Sequence, residues 1–263
     1  MAIAVAVLAT GCTKAGKGGT RAMGRPLIIA HRGLSGLFPE NTLLAFREAL
    51  KFGVDGIETD VRRTRDGAIV CLHDETLDRT TNMSGKLSEL TLEEARRADA
   101  GRGERIPTLW EALTEIGGRA VLCIEIKEPG IEPQVVGIVR RHPTMRHRCI
   151  IGSFHVEAIR RARELAPEIP TQLIMSAYHP LEGEEALKAV LRAIEAGANS
   201  LSVHFNGVSP DLLREAHLRG LSVWAWTVNE PDLMRKLAEM GVDGIATDRA
   251  DLAMKVLKEA ISG

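Results

Sequence analysis

The strongest constraint in this chain is a rhythm. From residue 27 almost to the end, short apolar, β-rich runs alternate with stretches of helical periodicity. Strand patterns lie at residues 27–31, 55–60, 120–126, 149–153, 171–176, 200–204, 221–227 and 243–247. Helical patterns at 42–52, 108–116, 132–140, 156–165, 184–196, 209–219 and 230–240 fill most of the gaps. In the first of these, apolar residues at 43, 46 and 50 recur at helical spacing. Alternating βα units imply a parallel sheet, and eight of them imply an α/β fold closed into a TIM (β/α)8 barrel. The length of 263 residues fits, because such barrels form single units of about 250 residues.

An internal echo sharpens the reading. Gly53-Val54-Asp55-Gly56-Ile57-Glu58-Thr59-Asp60 recurs as Gly241-Val242-Asp243-Gly244-Ile245-Ala246-Thr247-Asp248. Each copy follows a helical stretch and opens on a glycine suited to cap it. A shared helix-to-strand connection accounts for every matched position. The one difference, Glu58 against Ala246, shows that the local structure works without that carboxylate. Glu58 is thereby a candidate for function.

One stretch breaks the alternation. Arg65-Asp66-Gly67 is a turn signal, and residues 68–73 look like a strand. Too few residues separate them from residue 60 for a helical crossover, so an antiparallel hairpin is expected, with His73 roughly opposite Asp60. Residues 75–107 are polar and too long for a simple βα connection. They read as an insertion at the barrel mouth, spanning about 61–107 after the second strand.

Composition excludes several classes. Lys+Arg is 34 and Asp+Glu is 35, a formal charge of -1, which gives no general pull toward nucleic acid. No apolar run approaches the ~18–20 residues that a membrane span needs. Cys71, Cys123 and Cys149 sit in apolar strand patterns and read as buried free thiols, with no spacing that suits zinc. The first 25 residues stand apart from the barrel at 26–263. Leu8-Ala9-Thr10-Gly11-Cys12 resembles a bacterial lipoprotein cleavage box, and the Gly-rich, basic stretch after it suits a tether. No Lys or Arg precedes the short apolar run, which a signal peptide would carry. A cytoplasmic location and a cell-envelope one with a lipid anchor at Cys12 both stay open.

In a TIM barrel the chemistry sits at the C-terminal ends of the strands. Those ends hold His31-Arg32-Gly33, Glu58-Thr59-Asp60, His73-Asp74 and Glu125-Ile126-Lys127. Glu58 and Asp60 are two apart on a strand and face the same way. They raise each other's pKa unless a cation lies between them. Glu125 adds a third carboxylate, and an oxygen-only set suits Ca²⁺ or Mg²⁺. Spacing alone leaves open both a divalent cation and a network of ion pairs with Arg32, Arg62 and Lys127. Beside a cation, Arg32 and Lys127 look like an anion clamp. His31 and His73 suit a general acid–base pair at neutral pH. His204 ends a strand and is a candidate for the pocket wall; His142, His147, His155, His179 and His217 are assigned to the surface. Asn41 or Thr42 reads as a helix cap, and Glu40 can additionally orient a catalytic group.

Taken in order, these motifs resemble the glycerophosphodiester phosphodiesterase family, within the phosphatidylinositol-phospholipase-C-like superfamily. His31-Arg32-Gly33 with Pro39-Glu40-Asn41-Thr42 is similar to its opening signature. Glu58-x-Asp60, Thr64-x-Asp66-Gly67, His73-Asp74, residues 76–81, Ile106-Pro107-Thr108-Leu109 and Glu125-Ile126-Lys127 continue it. Ser153-Phe154, Trp226-Thr227-Val228-Asn229 and the second echo copy complete it. The resemblance implies a TIM barrel that hydrolyses glycerophosphodiesters to glycerol 3-phosphate and an alcohol. It implies catalytic His31 and His73, metal ligands Glu58, Asp60 and Glu125, and phosphate-binding Arg32 and Lys127. The partner is then a small-molecule diester, and the protein a monomer or homodimer. Two alternatives are an enzyme acting on a lysophospholipid head group and a phosphate-ester-binding lipoprotein without turnover.

Aromatic residues are only 3% of the chain: five Phe, three Trp and one Tyr. Phe38, Phe154, Tyr178, Phe205 and Trp226 all fall at or just past strand ends. They are expected to wall a substrate pocket, with Trp226 against the glycerol moiety.

Overall fold

The computed structural model describes residues 25–259. In chain order its strands are β1 (Leu27–Ala30), β2 (Gly56–Arg63), β3 (Ile69–Cys71), β4 (Val121–Ile126), β5 (Cys149–Ser153), β6 (Thr171–Met175), β7 (Ser200–His204), β8 (Ser222–Trp226) and β9 (Gly244–Thr247). Their hydrogen-bonded order is β1-β9-β8-β7-β6-β5-β4-β2-β3, and β1 also pairs with β2. Every pairing is parallel except β2 with β3. Eight strands thus close a TIM barrel, and β3 extends β2 as one arm of a hairpin. The expected fold is the observed one.

The helices are α1 (Leu43–Lys51), α2 (Leu92–Ala95), α3 (Leu109–Ile116), α4 (Glu132–Arg141), α5 (Val156–Leu165), α6 (Gly183–Glu195), α7 (Pro210–Leu218), α8 (Pro231–Met240) and α9 (Ala250–Glu259). The sequence reading ended before α9, although its buried Ala250, Ala253, Met254 and Leu257 keep the same helical spacing. Thr42, not Asn41, caps α1: its hydroxyl accepts from the Ala45 N–H at 3.2 Å. Both copies of the echo follow a helix into a strand, through Gly53 at φ +69° and Gly241 at φ +95°.

Period-2 alternation divides the barrel residues between two faces. Ile28, Ala30, Leu122, Ile124, Val223, Ala225 and Ile245 belong to the main core shared with the helices. The alternate positions Ile29, Cys123, Trp224 and Ala246 form a small separate cluster, which fills the barrel interior. Gly244 makes room for it, because a Cβ there would lie 2.8 Å from the Trp224 indole. Cys71, Cys123 and Cys149 are buried and free, as expected.

The hairpin turns through Arg65-Asp66-Gly67, closed by the Thr64 N–H donating to the Ala68 carbonyl at 2.9 Å. Its register pairs Val61 with Cys71, and the Leu72 N–H donates to the Asp60 carbonyl at 3.0 Å. Leu72 therefore stands opposite Asp60, and His73 comes one residue later than expected. The turn is centred on Asp66, and that single choice sets every pair in the hairpin. Beyond it, residues up to 107 fold over their own apolar cluster of Val70, Leu72, Leu77, Leu87, Ala95 and Ile106. A capping box between Thr91 and Glu94 starts α2 there. One surface assignment fails: His142 is 4% exposed, packed at 4.9 Å from the Trp110 ring, where burial holds its imidazole below the ordinary value. Among the described residues no helix is long and apolar enough to cross a membrane. Cys12 and the tether lie outside the described residues.

Candidate active site

The barrel register builds the site. Pairing of β2 with β4 sets Asp60 beside Glu125, and Glu58 lies two residues back on the same face. One carboxylate oxygen from each of Glu58, Asp60 and Glu125 lies within 4.8 Å of the others. Asp60 is fully buried. Glu58 Oε1 and Asp60 Oδ1 are buried without a hydrogen-bond partner among the described residues. Burial, and then the Asp60 charge, push the Glu58 carboxyl up to about 8. The same two causes raise Glu125. Asp60 goes the other way: against its burial, the charges of Arg32 and Lys127, joined by His73 and His31, hold it low. Two orphaned carboxylate oxygens within a cluster of three acids fit an oxygen-only divalent cation site.

The loop after β1 supplies the first cation. Arg32 has φ +55°, and its backbone N–H donates to Glu58 Oε2 at 3.0 Å. Its guanidinium meets Glu40 at 2.9 Å and Asp60 at 3.0 Å. Lys127 supplies the second, 2.6 Å from Glu125 and 3.6 Å from Asp60. Ion pairs and a carboxylate cluster therefore coexist here, while Arg62 stands outside both. It pairs with Glu128 and donates to the His73 carbonyl.

Asn41 has a different place from the one its sequence position advertised. With φ +57° and 3% exposure, its Nδ2 donates to Asp60 Oδ2 at 2.9 Å. Its Oδ1 accepts from the Thr59 hydroxyl at 2.7 Å and the Asp60 N–H at 3.2 Å. It is a bracket for a site carboxylate, the capping work having fallen to Thr42. The echo repeats this bracket across the barrel. Asn229 Nδ2 donates to Asp248 at 2.8 Å, and its Oδ1 accepts from Thr247 and the Asp248 N–H.

Asp248 is the residue sequence reasoning missed. Its Oδ1 lies 2.7 Å from His31 Nδ1 and accepts from the Ser35 hydroxyl at 3.0 Å. The signal was present in the echo, since Asp248 is the counterpart of Asp60. Burial tends to lower the His31 pKa, but the Asp248 hydrogen bond and the Glu58 charge outweigh it, and the net shift is upward. The same bond helps to draw Asp248 down to about 2 against its burial. His31 Nε2 faces the carboxylates, 3.9 Å from Glu58.

His73 is held in the same manner from the other side. Its Nδ1 lies 2.6 Å from Asp74, which Arg79 grips at 2.6 Å. Arg79 also meets both Glu40 oxygens, at 2.8 and 2.9 Å. Glu40 thus joins Arg32 to Arg79, and the insertion to the mouth; Arg79 is a second member absent from the sequence-derived set. Burial first, helped by Arg32 and Lys127, holds the His73 imidazole below the ordinary value despite the Asp60 charge. The two imidazoles are therefore displaced in opposite directions.

A cavity of about 300 Å³ joins these groups, lined by His31, Arg32, Glu58, His73, Glu125, Lys127 and Trp226 among others. Asp60 lies beneath it, and Glu40 and Asn41 support from behind. Of the five aromatics expected around it, Phe154, Tyr178 and Trp226 line the cavity. Phe38 instead packs under the Arg102 guanidinium, and Phe205 stacks on His204 at 4.2 Å. Strand-end position alone does not say which way a loop side chain turns. His204 packs among Tyr178, Phe205 and Trp226 behind the wall. Trp224, from the barrel interior, joins the lining instead.

A closed (β/α)8 barrel with imidazoles, carboxylates and cations converging at its mouth defines a TIM-barrel hydrolase site. Residues 31–252 match the sequence profile of the glycerophosphoryl diester phosphodiesterase family, and the chain belongs to that family. It is an enzyme, a phosphoric diester hydrolase. A glycerophosphodiester phosphodiesterase of Caldanaerobacter subterraneus is 36% identical over 89% of this chain and 99% of its own. Among solved structures, a phosphodiesterase of Oleispira antarctica in complex with the product sn-glycerol-3-phosphate superposes with a TM-score of 0.79. It is 28% identical, with 91% of this chain and 98% of that one covered. A glycerophosphodiester phosphodiesterase of Agrobacterium tumefaciens gives 0.76 at 29% identity, covering 88% and 99%.

Proposed function

We propose that the protein hydrolyses glycerophosphodiesters, such as glycerophosphocholine or glycerophosphoethanolamine, to sn-glycerol 3-phosphate and an alcohol. The observation that carries this is the pairing of two imidazoles, each tied to a carboxylate through Nδ1, across a cavity from three clustered acids. The product bound in the Oleispira antarctica relative supports the same small-molecule class.

Glu58, Asp60 and Glu125 would hold one divalent cation, Ca²⁺ or Mg²⁺, which supplies charge neutralisation at the phosphoryl oxygens. Arg32 and Lys127 orient the phosphate and share its charge. His73, whose proton is the more weakly held, takes the proton of the attacking oxygen. His31, whose proton is the more strongly held, delivers one to the departing alcohol oxygen. Asp248 and Asp74 keep both rings turned so that Nε2 is the working nitrogen. Trp226, on the cavity wall, packs against the glycerol moiety.

The test is release of sn-glycerol 3-phosphate from glycerophosphocholine by the purified chain, followed with a coupled dehydrogenase, with and without EDTA. Release that needs a divalent cation supports the reading. No release at any cation concentration rejects it.

A further inference from the structure

The two imidazole–carboxylate pairs at the mouth are held by different means. Asp248, behind His31, is fixed by neutral side chains: the Ser35 hydroxyl donates at 3.0 Å and Asn229 Nδ2 at 2.8 Å. Asp74, behind His73, has no such support. Apart from His73 itself, the one side chain that binds its carboxylate among the described residues is Arg79, through Nε to Oδ2 at 2.6 Å and Nη2 to Oδ1 at 3.0 Å. The Arg79 bond is also the largest cause of the low pKa of the Asp74 carboxyl. Whatever fixes Arg79 therefore fixes the 2.6 Å contact between Asp74 and His73 Nδ1.

Arg79 comes from the insertion, and the segment that carries it is well anchored. Leu77 is buried in the insertion's apolar cluster, its N–H donates to the Gly85 carbonyl at 3.0 Å, and its carbonyl accepts from the Thr81 N–H at 3.1 Å. The Arg79 side chain is 47% exposed, so packing is not its work. Exposed ion pairs generally contribute little to stability. What this one supplies is direction, because a planar guanidinium can grip two carboxylates in fixed geometry and an ammonium cannot. The second carboxylate is Glu40, met at 2.8 and 2.9 Å and held on its far side by Arg32. Both acids approach the same Nη2, at 2.9 and 3.0 Å. Without the guanidinium they repel each other, and Asp74 has no other donor to keep it beside His73. No residue between 75 and 107 lines the catalytic cavity, so the insertion reaches the chemistry from behind the imidazole.

We propose that Arg79 is a positioning residue: by bridging Asp74 to Glu40 it holds the His73 ring with Nδ1 on Asp74 and Nε2 toward the substrate phosphate. This rests on the hydrolytic reading above and adds to it a residue that never touches substrate. It also gives the insertion a part in the reaction.

The experiment measures kcat and KM for glycerophosphocholine in wild type, Arg79→Gln, Arg79→Lys, Arg79→Gly and Asp74→Asn, with circular dichroism as the check on folding. A misdirected base lowers kcat by about 10- to 100-fold in Arg79→Gln, with KM within about threefold of wild type. Arg79→Lys stays low, since one ammonium does not hold both acids. Guanidinium chloride, kept far below unfolding concentrations, raises kcat of Arg79→Gly, because the vacated place is open to solvent, and does nothing for Asp74→Asn. A kcat near wild type in Arg79→Gln overturns the proposal, as does a loss confined to KM, which would place the effect in the phosphate clamp. Full activity in Arg79→Lys, or equal rescue of Asp74→Asn, overturns it as well. A readout without turnover is the ¹⁵N spectrum of the histidine rings, with His73 assigned by its absence in His73→Ala. Wild type shows the proton on Nδ1 of His73, and Arg79→Gln shows a mixture of tautomers; one unchanged tautomer in the variant refutes the positioning role. Loss of all hydrolysis in wild type together with that tautomer mixture in Arg79→Gln would sink the reaction and spare the role of Arg79.

Discussion

Removing the Asp248 carboxylate is the most revealing single perturbation. In Asp248→Asn the new amide has two orientations, and both fail. With its oxygen toward His31 and Ser35, its NH2 meets the Asn229 NH2, which now donates to Asp248 at 2.8 Å. With its NH2 toward His31, donor faces donor unless the imidazole gives up its Nδ1 proton and takes the wrong tautomer. The lost bond is charge-assisted and 2.7 Å long. Such bonds contribute about 1.5–3 kcal/mol. At 1.36 kcal/mol per tenfold, kcat/KM should fall by about 10- to 150-fold. A second signature separates orientation from general damage. Asp248 raises the His31 pKa, so its loss moves the limb of the pH–rate profile that reports His31 to lower pH. The carboxylate also contributes to stability. With its folded pKa near 2 and an ordinary value of 3.8, it adds about 2 kcal/mol above pH 4, lost as pH falls toward 2. The assay is kcat/KM for glycerophosphocholine from pH 5 to 9, with urea unfolding beside it. A folded variant within twofold of wild type, with neither limb displaced, would refute the argument.

Glu58→Ala should fold, since Ala246 fills the equivalent echo position, but bind Ca²⁺ or Mg²⁺ more than tenfold more weakly by calorimetry; an unchanged affinity rejects Glu58 as a ligand. His73→Ala should lower kcat by about 10²–10⁴-fold while the circular dichroism spectrum holds, and near-normal turnover would remove it from the acid–base pair. In EDTA, the Glu58 carboxyl, pushed up to about 8 from 4.5, keeps a proton that the unfolded chain has released. The metal-free protein should therefore lose Tm as pH rises from 5 to 8, and a divalent cation should raise Tm more at pH 8 than at pH 5; a flat metal-free profile contradicts this. Asn41→Ala strips two acceptor contacts and one charge-assisted donor from a residue 3% exposed, and should cost about 2–4 kcal/mol in urea unfolding; a loss under 1 kcal/mol would mean the bracket is dispensable.

Much of this protein was legible before any coordinates. Period-2 and period-3.6 patterns are local, so the alternation of eight strands with helices, and hence the barrel, followed from residue order alone. The i,i+2 spacing of Glu58 and Asp60 has the same character, because a strand turns alternate side chains to one face. Glu125 was legible only once a parallel sheet was assumed to bring its strand alongside.

What the order of residues did not decide depends on the turning of loops and on contacts across the barrel. Asn41 looks like a cap in sequence, yet its backbone at φ +57° swings the amide onto Asp60. Asp248 lies 217 positions from His31, and only closure of β9 against β1 brings them into contact. Phe38 and Phe205 share strand-end positions with Phe154 and Trp226 and still pack elsewhere, because a side chain beyond a strand has no fixed face. Local periodicity determined the scaffold and the principal acids; three-dimensional closure decided which side chains hold those acids and which hold the imidazoles.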